Sequence, residues 1–240
     1  MSTATNPAEP RTIRVDVTSD SICPFCFLGK RKLERAVEIA NNEKGLNVKL
    51  DIQYHPFLLD PTLTTDKPVD KRERYYEKFG KERFVQMENM MKERGKEVGI
   101  NFSYGGKLRQ TTDSHRLFAL AYDKGGEKMQ QDLVERIFAG YFEQEKDVGD
   151  ADFLAEQAVQ ASVFANVDEA KAWLKSDAKI TEVAKGIREA QMMGITGVPF
   201  FVLNKKYALS GAQDPEVFVE VFERLSGQQE TRQVAPGMVC

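Results

Sequence analysis

Two cysteines three positions apart stand where an alternating strand gives way to a helix, and that junction constrains the fold more than any other feature of the chain. Ile13-Arg14-Val15-Asp16-Val17 alternates apolar and polar residues with β-branched side chains, the pattern of a strand. After the turn-like Thr18-Ser19-Asp20-Ser21 comes Cys23-Pro24-Phe25-Cys26. Pro24 suits the first position of a helix, whose apolar face is Leu28, Leu33, Val37 and Ala40 until Asn41-Asn42 stops it. Val48, Leu50 and Ile52 alternate again, so a second strand ends near Tyr54 and His55, where His55-Pro56 reads as a turn. The unit is βαβ, and its crossover is expected to be right-handed with parallel strands.

The far end of the chain carries the complementary pattern. Glu182 to Met193 reads as a helix closed by Gly194, and Gly197-Val198-Pro199 leads into the apolar run Phe200-Phe201-Val202-Leu203. Asn204-Lys205-Lys206 turns the chain back through Tyr207-Ala208-Leu209 as a hairpin. A last helix begins after Asp214-Pro215, with Asp214 as its expected N-cap. The order βαβ then αββα is that of the two halves of a thioredoxin fold, which makes the chain α/β. Residues 11–62 and 177–227 are therefore assigned to one discontinuous domain. Residues 63–176 are far too many for a bare loop, and their apolar spacing is helical, so they are assigned to a large inserted all-helical domain. Residues 1–10 read as a disordered arm and 228–240 as a flexible tail. The Met and aromatic stripe from Tyr75 to Met91 is read as a buried helix face, without a site.

A dithiol at a helix N-terminus has a definite chemistry. Unpaired N–H groups and the helix dipole favour a thiolate at Cys23, which makes it the attacking sulfur. Cys26, one turn further in and more buried, is placed to resolve the mixed disulfide. A zinc site would need further ligands, and the sequence offers only His55, His115 and Cys240, none at a usual spacing, so no metal is assigned. Val198-Pro199, after Gly194-Ile195-Thr196-Gly197 and before an apolar strand, fits a cis bond. Such a bend sets the Val198 backbone beside Cys23, where it can pair with an extended substrate segment. Three further residues have two readings each. His115 either donates to a substrate or thiolate, or caps and packs. Asp16 is either the base that takes the proton of Cys26 or a bystander, and Asp20 either shares that task or caps the helix. Cys240, in a tail without periodicity, reads as incidental, with a second resolving thiol for Cys23 as the alternative.

With both motifs in view, the chain resembles the DsbA-like oxidoreductases, most closely the FrnE type. The likeness is carried by Ser19 to Lys30, by Asp113-Ser114-His115-Arg116-Leu117, by Tyr141-Phe142 with Asp147-Val148-Gly149-Asp150, and by Gly194 to Val202 through Ser210-Gly211-Ala212-Gln213. It implies a thioredoxin fold with a helical insertion, a redox-active Cys23–Cys26 disulfide and a cis Pro199. The site it implies comprises Cys23, Cys26 and Pro199, with Val198, Thr196, Pro24, Phe25 and His115 facing substrate. Two departures stand out: Phe25 where tryptophan is usual, and Gln110 where asparagine commonly precedes the threonine. Related branches, the kappa-class glutathione transferases and the 2-hydroxychromene-2-carboxylate isomerases, usually carry serine at the position of Cys23.

Bulk properties narrow the partners. The net charge of −3 is spread along 240 residues with no basic stripe, which argues against nucleic acid and anionic membranes. Three cysteines, with no secretory pattern at the start, point to a reducing compartment, the cytoplasm, where a disulfide is catalytic or transient. The favoured function is thiol–disulfide exchange on protein or small-molecule thiols and disulfides, with no bound cofactor and with glutathione admissible as a co-substrate. Two alternatives stand beside it: a glutathione-dependent transferase or isomerase, and a non-catalytic binding or chaperone module. Monomer and homodimer are both left open.

Overall fold

The computed structural model describes residues 9–227. The expectations for residues 1–8 of the arm, and for the tail 228–240 with Cys240, lie outside the described residues. Strand β1 (Arg11–Ser19) pairs in parallel with β2 (Val48–Pro56) and antiparallel with β5 (Phe200–Leu203), which in turn pairs antiparallel with β6 (Tyr207–Ser210). The sheet order is β2-β1-β5-β6, so β1 is central and its inward residues Ile13, Val15 and Val17 are buried. Helix α1 (Pro24–Glu38) connects β1 to β2 and packs against the last helix, α8 (Pro215–Leu225). Its C-terminal end widens into a π-turn over Ile39–Glu43. There Asn41, predicted only to stop the helix, accepts from the Val48 amide and donates to the Val48 carbonyl, tying the helix end to β2.

Between β2 and α7 (Ile180–Met192) lie five helices: α2 (Lys71–Phe79), α3 (Lys81–Glu97), α4 (Thr112–Glu143), α5 (Ala151–Gln160) and α6 (Val167–Leu174). The segment also carries a short ribbon that periodicity did not reveal, in which β3 (Val69–Asp70) pairs with β4 (Lys107–Leu108). Helix α4 bends at Gly126, whose φ of 64° and ψ of −153° lie in a region open mainly to glycine. Its first half meets the turn before α1 through Ser114 and Ser21, and its second half carries Phe138, Tyr141 and Phe142 into the core. Phe27 of α1 stacks on Phe142 at 5.9 Å and meets Phe102 and Phe138, so one apolar core spans both parts of the chain. Lys30 of α1 adds an ion pair to Glu135 of α4 at 2.8 Å.

Two local expectations need correction. Asp214 occupies the N-cap position of α8, but its side chain makes no cap hydrogen bond; it turns to Lys32 on α1, 2.6 Å away, because a full ion pair is available there. His55 belongs to β2 rather than to a turn, since β2 stays paired with β1 through Pro56.

Candidate active site

The strand-to-helix junction is built by a tight turn in which the Cys23 amide donates to the Asp20 carbonyl at 3.1 Å. Cys23 becomes the N-cap of α1, with extended backbone (φ −88°, ψ 111°), and Pro24 fills the first helical position. A side-chain oxygen normally caps the free N–H groups there. Here Cys23 holds the N-cap position but its thiol makes no cap hydrogen bond, so the N–H groups of the first turn are not taken up by that side chain, and the turn contains no acidic residue to compete with an anion. Across from it the Val198–Pro199 bond is cis, and the Cys23 thiol donates to the Val198 carbonyl at 3.3 Å. The two cysteines are free thiols.

Cys26 lies one turn inside. Burial pushes its thiol well above the ordinary range, and the neighbouring Cys23 sulfur adds to the effect, while hydrogen bonds from the Ser19 hydroxyl and the Asp20 backbone act the other way. Cys26 is therefore held as a protonated thiol at neutral pH. Cys23 is no more exposed: each cysteine is 2% accessible. That corrects the expectation of an exposed attacking sulfur. The insertion covers Cys23, and what distinguishes it is the space it faces.

The face is a cavity of about 260 Å³. Cys23, Pro24 and Phe25 form one side together with Val198, and the opposite side is aromatic and methionine-rich, from Tyr75 and Phe79 of α2 to Phe84, Met87 and Met91 of α3. Phe84 and Met91 of the stripe are buried in the core, as read from sequence, and the stripe also forms the wall of the cavity that reaches Cys23. Three methionines between Met87 and Met91 were the only signal, because helical periodicity is the same for a core face and a pocket wall. Two more open clefts, of about 450 and 490 Å³, lie elsewhere, and neither is lined by a cysteine.

The acidic and histidine residues singled out earlier do other work. Asp20 does not cap α1: its side chain turns to the Leu59 amide at 2.6 Å, because the N-cap position is three residues further on, at Cys23, and the Asp20 backbone carbonyl already serves the turn. The second carboxylate oxygen of Asp20 is buried without a hydrogen-bond partner, 3.5 Å from His115 Nε2. Asp16 bonds Arg14 at 3.0 Å and His55 at 2.9 Å, on the side of β1 where those residues are half-exposed, so its carboxylate is engaged rather than poised at Cys26. His115 is buried and donates from Nε2 to the Phe57 carbonyl at 2.9 Å; it does not line the cavity. Thr196 is exposed in the loop before Val198 and is likewise absent from the lining.

The Asp113-Ser114-His115-Arg116 motif proves to be a clamp. Ser114 Oγ meets Ser21 Oγ at 2.6 Å, and Arg116 lies buried over the Trp173 ring, donating to the carbonyls of Leu174 and Ala178. These bonds fix the turn before Cys23 to the insertion, and the insertion to the chain that returns as α7. In the Asp147-Val148-Gly149-Asp150 stretch Asp150 caps α5 through the Asp152 and Phe153 amides. Gln110, the departure from the family pattern, accepts from Thr112 Oγ1 at 2.7 Å, within its own loop. Among the described residues no group of three or more His, Cys, Asp or Glu side chains is arranged to hold a metal ion. No helix among them is long and apolar enough to cross a membrane.

A dithiol at the head of the first helix, set against a cis Val–Pro with a helical insertion over it, defines a thioredoxin-fold protein of the DsbA-like kind. The chain belongs to the family of DSBA-like thioredoxin domains, which residues 14–223 match. It is 27% identical over 214 residues to the uncharacterized Bacillus subtilis protein YwbO, covering 86% of this chain and 94% of that one. The structure of a probable DsbA oxidoreductase from Streptomyces coelicolor superposes with a TM-score of 0.78 at 30% identity, over 95% of this chain and 96% of that one. A 2-hydroxychromene-2-carboxylate isomerase shares the fold, with a TM-score of 0.62 at 15% identity over 90% of this chain and 97% of that one.

Proposed function

We propose that the protein is a thiol–disulfide oxidoreductase in which Cys23 attacks and Cys26 resolves. The observation that carries this reading is the position of the Cys23 sulfur: at the N-cap of α1, 3.3 Å from the carbonyl of the cis Val198–Pro199 pair, on the wall of a cavity. Membership of a family with a DsbA oxidoreductase-like relative at 30% identity supports the same chemistry. In the reductive direction the Cys23 thiolate attacks a substrate disulfide, forms a mixed disulfide and expels one substrate thiolate. Cys26 then loses its proton and attacks the Cys23 sulfur, which releases the second thiolate and leaves a Cys23–Cys26 disulfide. Two electrons have passed to the substrate, and an external thiol such as glutathione returns them. The oxidative direction is the reverse. Phe25 and the Val198 backbone flank the attacked sulfur and orient the substrate.

The test separates the two sulfurs. In a Cys26→Ser protein, attack proceeds and resolution does not, so a mixed disulfide on Cys23 accumulates and is seen by mass after an acid quench. A Cys23→Ser protein traps nothing. Equal adduct formation on Cys26 in the Cys23→Ser protein would contradict the assignment. Full glutathione-dependent isomerase or transferase activity in Cys23→Ser would favour that alternative instead, because a hydroxyl can do the same task there.

A further inference from the structure

Three methionines and five aromatic rings line an unfilled space beside the attacking sulfur, whereas protein cores are normally packed with few voids larger than a water molecule. We propose that this cavity is a specificity pocket for the neutral, aromatic-sized arm of a low-molecular-weight disulfide or thiol whose sulfur reacts at Cys23. The assignment rests on thiol–disulfide exchange at Cys23 and names the substrate class for it.

Size is the first argument. A cavity of about 150 Å³ in a protein core takes up benzene, so about 260 Å³ accommodates a substituted ring and a short linker, and little more. A folded protein cannot enter it, and an extended peptide could place no more than a single side chain there. Geometry is the second. Cys23 and Val198 form one wall, so a ring seated against Phe84, Met87 and Tyr104 directs its own sulfur to Cys23, while the remainder of the molecule leaves along the Val198 backbone. Charge is the third. The charged lining residues are Asp60, Glu88 and Lys78. Both carboxylates are neutralised from behind, Glu88 by Arg72 at 2.8 Å and Lys92 at 2.7 Å, Asp60 by Arg74 at 2.9 Å. Lys78 already lies 3.6 Å from Asp60. The pocket thus offers no uncommitted cation to an anionic thiol such as glutathione, and its thioethers adapt to varied apolar shapes. Met90 at the rim is partly exposed and continues the apolar surface outward.

The redox balance is that of the general reaction. Cys23 bonds the sulfur bearing the aromatic arm, the partner thiolate leaves, and Cys26 releases the arm as a thiol; an external thiol then reduces the Cys23–Cys26 disulfide.

The experiment compares the reduced full-length protein on 2-hydroxyethyl benzyl disulfide, bis(2-hydroxyethyl) disulfide and glutathione disulfide, each rate divided by that of dithiothreitol on the same disulfide. The expected result is a normalised kcat/KM at least about tenfold higher for the benzyl compound than for either other disulfide, as burial of a ring-sized apolar group predicts. Met87→Trp, which fills the pocket, should bring that ratio below about threefold, and Met90→Trp at the rim gives a second reading should the first variant not fold. Equal normalised rates, or a preference for glutathione disulfide, overturn the proposal while leaving exchange intact. A separate arm uses benzyl methyl sulfide, a thioether that cannot exchange: calorimetry should detect its binding to the native protein and its loss in the filled variant. If no disulfide reacts, the exchange reading fails, and this binding alone decides the pocket; absence of binding overturns it.

Discussion

Cys23 and Cys26 are equally buried, so the difference between them comes from what each one touches. Cys23 sits at the N-cap position of α1 and borders open space; Cys26 is enclosed, and burial first of all holds its thiol protonated. Phe25, the residue beside Pro24 in the motif, carries neither charge nor a hydrogen-bond donor with which to stabilise an anion at the head of α1. Strong oxidants owe their potential to a stabilised reduced form. We therefore expect the Cys23–Cys26 couple to be more reducing than the about −120 mV of strongly oxidising DsbA couples, as measured by equilibration in glutathione buffers. A value as oxidising as that figure would overturn the argument.

A second residue makes a testable statement about pH. Lys71 opens α2 almost fully buried, with Nζ 3.0 Å from the Tyr141 carbonyl and above the Tyr141 ring. Burial lowers its ammonium from 10.5 to about 8, against the opposing pull of Glu145 and Asp147. Between those two values the unfolded chain holds a proton that the folded protein has released, so stability should rise as pH increases from about 8 toward 10.5. Lys71→Met should flatten that rise, which thermal unfolding of both proteins at pH 7 and pH 9.5 will show. An unchanged slope in the variant would mean that Lys71 is not its source.

At the scale of the element, α4 is the decisive piece. Its first turn clamps the approach to Cys23 through Ser114 and His115, and its last turns pack Phe138 and Phe142 on Phe27 of α1. A straight helix does not follow this path, and Gly126 supplies the bend with a backbone conformation that other residues adopt only under strain. Nothing lies near the position of a Cβ there, so the cost of a side chain is purely conformational. Gly126→Ala should lower stability by about 1–3 kcal/mol, read from the denaturant midpoint. Exchange should slow as well if the strain shifts the first half of α4. A variant as stable as the native protein would show that the bend persists without glycine.

Over the whole molecule, the insertion does more than decorate a thioredoxin fold. It covers Cys23, supplies the aromatic and methionine wall opposite it, and is fixed to the turn before Cys23 and to the end of β2 by the Ser21–Ser114 and Phe57–His115 hydrogen bonds. The strands, the dithiol helix and the hairpin after Pro199 were legible in the chain because each is written in adjacent residues: alternation, a proline at the helix start, turn residues between apolar runs. Helices in the insertion were legible for the same reason. Their partners were not. A Met and aromatic face at helical spacing looks the same whether it meets a sheet or a cavity, and only the packing of α2 and α3 over Cys23 made Tyr75 to Met91 a wall. Asp16, Asp20 and Asp214 each lay where a role could be named from sequence, yet each side chain took the partner that folding brought closest: His55, Leu59 and Lys32. The sequence by itself determined the local elements and the placing of two sulfurs at a helix end, because backbone propensity and spacing act over a few residues. The tertiary structure decided how buried Cys23 is and what it faces, because burial and cavity shape depend on residues more than fifty positions away, from Tyr75 to Tyr104 and at Val198.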